Sequence, residues 1–319
     1  MLSDRKVPNK CSDDIGHQAP PKPLLKWVGG KTQIIHKILD SMPAAMQNYH
    51  ELFVGGGSVL LGVLHRIRTG QITVAGSVCA YDLNSSLVGF YLNVQNNHKA
   101  LYDATSALVA EYRACGAGPV NRNPMSLTYA MSNRESYYDG IRARLDDLSR
   151  AERLSAAGSA HFIFLNKTGF RGMYREGPNG FNVSYGNYKQ VPDILNWEHL
   201  VQIHNLIQNV VFECVGFDIS TTVPRAGDFV YMDPPYVPLD DKSFVGYTHM
   251  GFSADHHASL FSKIHAMHNN HVLIMMSNSD TKKIRDAFGH YNIETVECRR
   301  AINSRDPSAA CLEVIVKNY

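Results

Sequence analysis

The chain has 319 residues, 44% hydrophobic and 19% charged, which excludes a wholly disordered protein and allows one large domain or a core with an inserted module. A formal net charge of +2 means that any basic surface must be local. Six scattered cysteines without a CxxC pair, and 15 histidines without an HExxH pattern, argue against a metal centre or a disulfide framework and suit a reducing compartment.

Residues 1–22 mix Lys, Asp, Ser, Asn and Pro and end on Pro20-Pro21, the composition of a flexible tail. No signal peptide and no apolar run long enough to span a membrane is read in the chain. Trp27-Val28-Gly29-Gly30-Lys31 follows the tail. A tryptophan beside a glycine pair suits a stacking wall against a planar ring, or a core residue at a helix start. Lys31 can complement a carboxylate or stand solvated in a first helical turn. Residues 31–41 place apolar side chains at helical spacing. Tyr49 to Phe53 leads into Gly55-Gly56-Gly57, and 58–64 reads as a helix. Glycines at such a turn let a ligand approach the backbone. Residues 72–81 read as a strand closed by Asp82, whose carboxylate can accept from both hydroxyls of a ribose. A glycine loop with an acidic strand end fits any adenosine cofactor. The GxGxxG of nicotinamide proteins and the GxxxxGK[ST] of phosphate loops are both absent.

Helices are predicted over 85–113 and 133–154, around a Gly-, Pro- and Asn-rich loop at 115–126. From 166 to 190 periodicity fades. Lys167, Arg171, Arg175 and Lys189 against Glu176 leave this stretch basic. Alternation then resumes: helix 199–208, strands 210–215 and 229–232, helix 255–268, strand 271–276, helix 280–288 and a final strand over Leu312–Val316. His256-His257 reads as an exposed helical pair. The pattern predicts an α/β sheet with an insertion.

Asp233-Pro234-Pro235-Tyr236 closes the strand at 229–232. Two prolines stiffen the backbone and remove two N–H donors. Carbonyl oxygens, a carboxylate and an aromatic face are thereby gathered, as methylation of an exocyclic amino group on a planar ring requires. An ordinary turn after a strand is the plainer reading of the same four letters.

In this order the pieces resemble the Dam-type (alpha-group) DNA adenine-N6 methyltransferases. The matches are Lys26-Trp27-Val28-Gly29-Gly30-Lys31, Glu51-Leu52-Phe53-Val54-Gly55-Gly56-Gly57-Ser58, Asp82-Leu83-Asn84 and Asp233-Pro234-Pro235-Tyr236. Residues 166–175 and 181–189 resemble the family's recognition hairpin. Phe252-Ser253, Ser277-Asn278 and 300–305 resemble its later motifs. The resemblance implies a Rossmann-like, S-adenosylmethionine-dependent methyltransferase sheet over 23–90 and 191–319. A helical and hairpin target-recognition domain would be inserted at 91–190. It implies that Trp27, Lys31, Phe53, Gly55, Gly57, Asp82, Asp218 and Asp233 bind S-adenosylmethionine. Asp233, Pro234, Pro235 and Tyr236 would carry catalysis on N6 of a flipped adenine in double-stranded DNA. Lys167, Phe170, Arg171, Met173, Arg175, Tyr188 and Lys189 would meet the DNA, with Arg175 reading guanine within GATC or a related GA-containing site.

Two departures stand out. Ile219 follows Asp218 where the family usually has Phe, and Ser184-Tyr185-Gly186-Asn187-Tyr188 replaces Pro-Phe-Gly-Arg-Tyr. No metal is expected. A cytoplasmic, nucleoid-associated enzyme is implied, with a cognate restriction endonuclease as a separately acting partner. The rivals are an RNA base amino-methyltransferase, a protein glutamine methyltransferase with Asn at 233, and a DNA-binding pseudo-enzyme. Cytosine C5 chemistry is disfavoured because no Pro-Cys pair occurs.

Overall fold

The computed structural model describes residues 19–178, 180–238, 252–299 and 310–319. The match at 300–305 and most of the expected N-terminal tail lie outside the described residues. Seven strands form the central sheet: β1 Tyr49–Glu51, β2 Val78–Asp82, β3 Val210–Cys214, β4 Phe229–Met232, β5 Leu273–Ser279, β6 Asn292–Arg299 and β7 Ala310–Lys317. Their spatial order is β6-β7-β5-β4-β1-β2-β3. Strands β1 to β5 pair in parallel, and β7 runs antiparallel between β5 and β6. This is the mixed, mainly parallel α/β sheet that the alternation of strand and helix signals predicts.

Both faces of the sheet are covered, so the central strands read as continuous apolar runs rather than alternating ones. All four residues of β4 are buried. Phe229 and Tyr231 face one core, while Val230 and Met232 face the other. The second core is closed by α8 Ala254–Asn269 and α9 Lys282–Phe288, through Leu260, Phe261, Ile264, Ile284 and Phe288. The first is closed by α1 Ile35–Asp40, α2 Ser58–Arg68, α3 Ser85–Asn96 and α7 Trp197–Leu206.

Three further long helices lie between β2 and β3, α4 His98–Ala114, α5 Arg134–Asp147 and α6 Ala156–Thr168, with short helical turns at Leu127–Ala130 and Arg150–Arg153. Tyr112 and Tyr137 meet the edge of Phe164, and Phe90 of α3 meets Phe162 of α6. The apolar core therefore continues from sheet to insertion. Helix α3 runs unbroken through the 90/91 boundary expected between them.

Several expected elements divide. Residues 72–81 form a two-residue strand at Thr73–Val74 and then β2, because Gly76 packs against the Asn48 side chain, where a Cβ would not fit. The helix expected at 85–113 breaks at Asn97 into α3 and α4. The one expected at 133–154 breaks at 148–149, where Ser149 and Glu152 form a capping box for a fresh turn. Two elements were not legible. Helix α6 is buried almost all round, so it lacks the polar stripe that reveals a surface helix. Strand β6 is recruited by pairing along its full length with β7.

Residues 168–186 fold back as a hairpin. Gly169 bridges Tyr185, Phe170 N–H donates to Ser184 C=O at 2.8 Å, and Asn182 N–H donates to Arg175 C=O at 2.7 Å. A two-residue ladder, Glu176–Gly177 with Gly180–Phe181, lies towards its tip.

Candidate active site

The strand order reverses between β1 and β4, and in parallel α/β sheets the crevice beyond the carboxyl ends of such strands receives ligands. Glu51 and the glycine turn leave β1 at this point, and Asp233 leaves β4. Lys31 reaches them from a short 3-10 turn over Lys31–Gln33. Its side chain is 4% exposed, and its Nζ lies 2.6 Å from Asp233 Oδ2 and 2.5 Å from Gly29 O. The other carboxylate oxygen, Asp233 Oδ1, is buried and has no hydrogen-bond partner among the described residues. Burial pushes the Asp233 pKa up, the neighbouring Lys31 ammonium opposes that shift, the Glu313 charge adds to it, and the nearby Tyr236 hydroxyl, although it donates to Glu313, also holds it down. A buried acceptor without a donor is costly and is expected to have a partner in the working complex.

Three more groups surround this pair. Glu51 is buried, accepts from Tyr49 O–H at 2.6 Å, and has its pKa pushed up to about 8 by burial. Tyr236 places its ring beneath Lys31, whose Nζ lies 5.1 Å from the ring centroid. Its hydroxyl donates to Glu313 Oε2 of β7 at 2.7 Å. Sequence reasoning did not single out Glu313. A lone carboxylate within an otherwise apolar strand was the available signal.

The backbone following Pro234 is held from below. His257 Nε2 lies 3.0 Å from Pro235 O, Val237 N–H donates to Asn278 Oδ1 at 3.0 Å, and Ser279 Oγ donates to Val237 O at 2.5 Å. The histidine pair is thus divided, which corrects the expectation of an exposed pair. His256 is exposed, whereas His257 is 1% exposed, and burial lowers its pKa. The helical period carries position 257, but not 256, into the core.

The glycine turn is fixed by close packing. Gly55 and Gly57 have φ of +48° and +75°. A Cβ on Gly55 would lie 2.8 Å from Trp27 Cδ1, and one on Gly57 would lie 2.5 Å from the Tyr91 hydroxyl. Asp82 Oδ2 accepts from Gly55 N–H at 3.1 Å and Oδ1 from Asn84 N–H at 2.9 Å, while burial raises its pKa. Trp27 is half-buried and stacks on Tyr174 at 5.6 Å, so the hairpin and the glycine turn share this ring. Phe53 stacks on Phe217 at 6.2 Å and meets the edge of Phe252 at 6.3 Å. Phe217, not Asp218, points into this aromatic cluster. Asp218 is exposed, and only its backbone carbonyl is engaged, by Lys263 Nζ at 3.1 Å. Leu83 lies exposed beside Gly216. A narrow glycine turn, a carboxylate at a strand end and an aromatic-aliphatic wall fit an adenosyl group carrying a short polar tail.

Of the residues expected to meet DNA, Phe170, Arg171, Met173 and Arg175 lie on the hairpin, Lys167 lies at the end of α6, and Tyr188 and Lys189 follow the hairpin. Phe170 is 47% exposed, with the Arg171 guanidinium 5.2 Å above its ring. Arg175 is half-buried and its Nε donates to Asn182 O at 3.0 Å. Tyr188 O–H donates to Gly169 O at 3.2 Å, and Lys189 is exposed. Met173 is half-buried against the core, and Lys167 is half-buried with its pKa lowered by burial and by Lys26. A cavity of about 480 Å³ lies apart from Asp233, between α5 and the hairpin. Its charged groups are already engaged: Arg142 with Asp139, Arg122 with Glu135, and Asp146 with Phe181 N–H and Arg153. Among the described residues no group of three or more His, Cys, Asp or Glu side chains is placed to hold a metal ion. No helix among them is long and apolar enough to cross a membrane.

The family profile described as D12 class N6 adenine-specific DNA methyltransferase matches residues 27–302. The chain is 32% identical over 314 residues to the Type II methyltransferase M.MjaIII of Methanocaldococcus jannaschii, covering 93% of this chain and 99% of that one. It is 27% identical to the Retron Ec67 DNA adenine methylase of Escherichia coli, over 92% of this chain and 90% of that protein. It is also 27% identical to the DNA adenine methylase of Escherichia coli strain K12, over 93% and 94% of the two chains.

Proposed function

Because the chain belongs to the D12 class of N6 adenine-specific DNA methyltransferases, we propose that it methylates a flipped adenine within GATC or a related GA-containing site of duplex DNA, with S-adenosylmethionine as donor. The observation that carries this reading is the divided state of Asp233. Lys31 holds Oδ2, while Oδ1 is a buried acceptor without a donor among the described residues. An adenine amino group supplies the missing donor.

The N6 lone pair is delocalised into the ring and is a poor nucleophile. Hydrogen bonds from the amino protons to Asp233 Oδ1 and the Pro234 carbonyl favour a pyramidal nitrogen, which frees that lone pair for attack. The sulfonium of S-adenosylmethionine supplies the methyl group as an electrophile. Positive charge develops on nitrogen as the N–CH3 bond forms and the S–CH3 bond breaks, the donor leaves as a neutral thioether, and the Asp233 carboxylate stands beside the nitrogen as its surplus proton is lost to solvent. The Tyr236 ring provides the face on which the base stacks. Asp82 and the Gly55–Gly57 turn would hold the ribose and backbone side of the donor, with Phe53, Phe217 and Trp27 as its walls.

In this reading residues 91–190 serve as the target-recognition domain. Phe170 fills the gap left by the flipped base, and Arg175 reads guanine through O6 and N7. Lys167, Arg171, Tyr188 and Lys189 bind the backbone or flank the base, and Met173 supports the hairpin from the core side. The test is incorporation of labelled methyl into GATC duplexes, single-base variants of them, and RNA of the same sequence. Transfer confined to GATC-like duplexes supports the reading. Preferential transfer to RNA contradicts it and favours an RNA amino-methyltransferase.

A further inference from the structure

Tyr236 is held at more points than a stacking platform needs. The backbone on either side of it is pinned by His257 at Pro235 O and by Asn278 and Ser279 at Val237 N and O. Lys31 covers its ring. The hydroxyl is then taken by Glu313, a residue of β7 that pairs with Ser279 of β5 on one side and Val296 of β6 on the other. Strand β7 runs antiparallel between these two strands, so Glu313 enters the site from a part of the chain remote from every motif around Asp233.

We propose that Glu313 is a positioning residue for methyl transfer, which anchors the Tyr236 ring by its hydroxyl in the orientation that receives the adenine. A phenol donating to a carboxylate makes a charge-assisted hydrogen bond, stronger and more directional than a neutral one. With the hydroxyl so engaged, the phenol contributes its face rather than a hydrogen bond to the base. Without the anchor the ring keeps its apolar surface but loses its fixed angle. Misorientation of a stacked base lowers the rate of transfer more than the affinity for either substrate.

The inference rests on the adenine-N6 reading, and a double-mutant cycle separates the two. Single-turnover methylation of a duplex is measured for the unaltered enzyme, Tyr236→Phe, Glu313→Ala and the double variant, with donor affinity followed by calorimetry. Each single change is expected to slow transfer by roughly tenfold, and the double change no further than the slower single one. Donor affinity stays unchanged. Glu313→Gln, whose amide oxygen still accepts from the phenol, recovers most of the rate. Should Glu313→Ala not fold, Glu313→Met runs the same cycle with side-chain volume retained. Multiplying losses, or a Glu313→Ala enzyme with full rate, overturns the inference while leaving the reaction assigned. Absence of methyl transfer to duplex DNA by the unaltered enzyme overturns both.

Discussion

At the scale of single residues, the site is an uneven charge cluster. One ammonium, Lys31, serves the carboxyl groups of Asp233 and Glu51, while Glu313 adds a third carboxylate whose charge raises the Asp233 pKa. Removing Lys31 leaves Asp233 with no compensating charge, and breaking such a buried pair typically costs about 3–5 kcal/mol. Lys31→Met is therefore expected to lower stability by an amount towards the lower end of that range, since Asp233 is 19% exposed, and to suppress transfer. Chemical denaturation checks the first effect and single-turnover kinetics the second. Glu51 makes a pH prediction. Its carboxyl has a pKa near 4.5 when unfolded and about 8 when folded, so the native state binds this proton more tightly. The stability it contributes is complete below about pH 4.5 and is lost as pH rises through about 8. Glu51→Gln cannot ionise at this position, so between about pH 5 and 8 its stability should fall less than that of the unaltered protein, the buried Asp82 and Asp233 accounting for what decline remains. Parallel declines in the two proteins would remove Glu51 as the cause. Asp233, Tyr236, Asp82 and Lys31 were legible as candidates from their motifs, and the fold brings Lys31, Asp233 and Tyr236 together. Glu313 and His257 were not legible, since only the tertiary fold brings β7 and α8 to the loop after β4.

At the scale of elements, the glycine turn and the hairpin do different work and share Trp27. The turn has no room for side chains, because Trp27 and Tyr91 already occupy the positions where Cβ atoms would stand. Gly55→Ala combines a left-handed φ with a 2.8 Å approach to Trp27, and is expected to abolish donor binding and cost at least about 1 kcal/mol of stability. Asp82→Ala removes a hydrogen-bonding charged group from the turn and should weaken donor binding by about 1–3 kcal/mol. Calorimetry measures both, and unchanged donor affinity in either variant removes that residue from the donor site. For the hairpin, Arg175→Ala should cost about 1–3 kcal/mol on the preferred site and relax selection at one base. If Arg175 meets only phosphate, affinity instead falls evenly across sequences and the salt slope shrinks by about one. Methylation across a library of GATC variants decides between them. The hairpin was legible as a basic, aperiodic insertion. Its contact with Trp27 through Tyr174 was not, because it joins residues 147 positions apart through an aromatic stack.

At the scale of the whole molecule, the sheet explains why so little sequence suffices. Its reversal point gathers the ends of β1 and β4, and the antiparallel β7 adds Glu313 from beyond β5. Alternating apolar runs and helical periods were enough to predict that sheet. They did not reveal α6, which is buried on nearly every side, or β6, which is defined by its partner strand. Nor did they show that a single apolar core runs from the sheet through α3 into the insertion. One atom is central, Oδ1 of Asp233, buried and unpaired among the described residues. Its most direct test is single-turnover methyl transfer to a GATC duplex by the unaltered enzyme, Asp233→Asn and Asp233→Ala, with the product nucleoside identified. The account predicts N6-methyladenine from the unaltered enzyme, a reduced but measurable rate for Asp233→Asn, whose amide oxygen can still accept, and none for Asp233→Ala, with donor and DNA binding largely retained in all three. An Asp233→Ala enzyme that methylates adenine at the unaltered rate would contradict it.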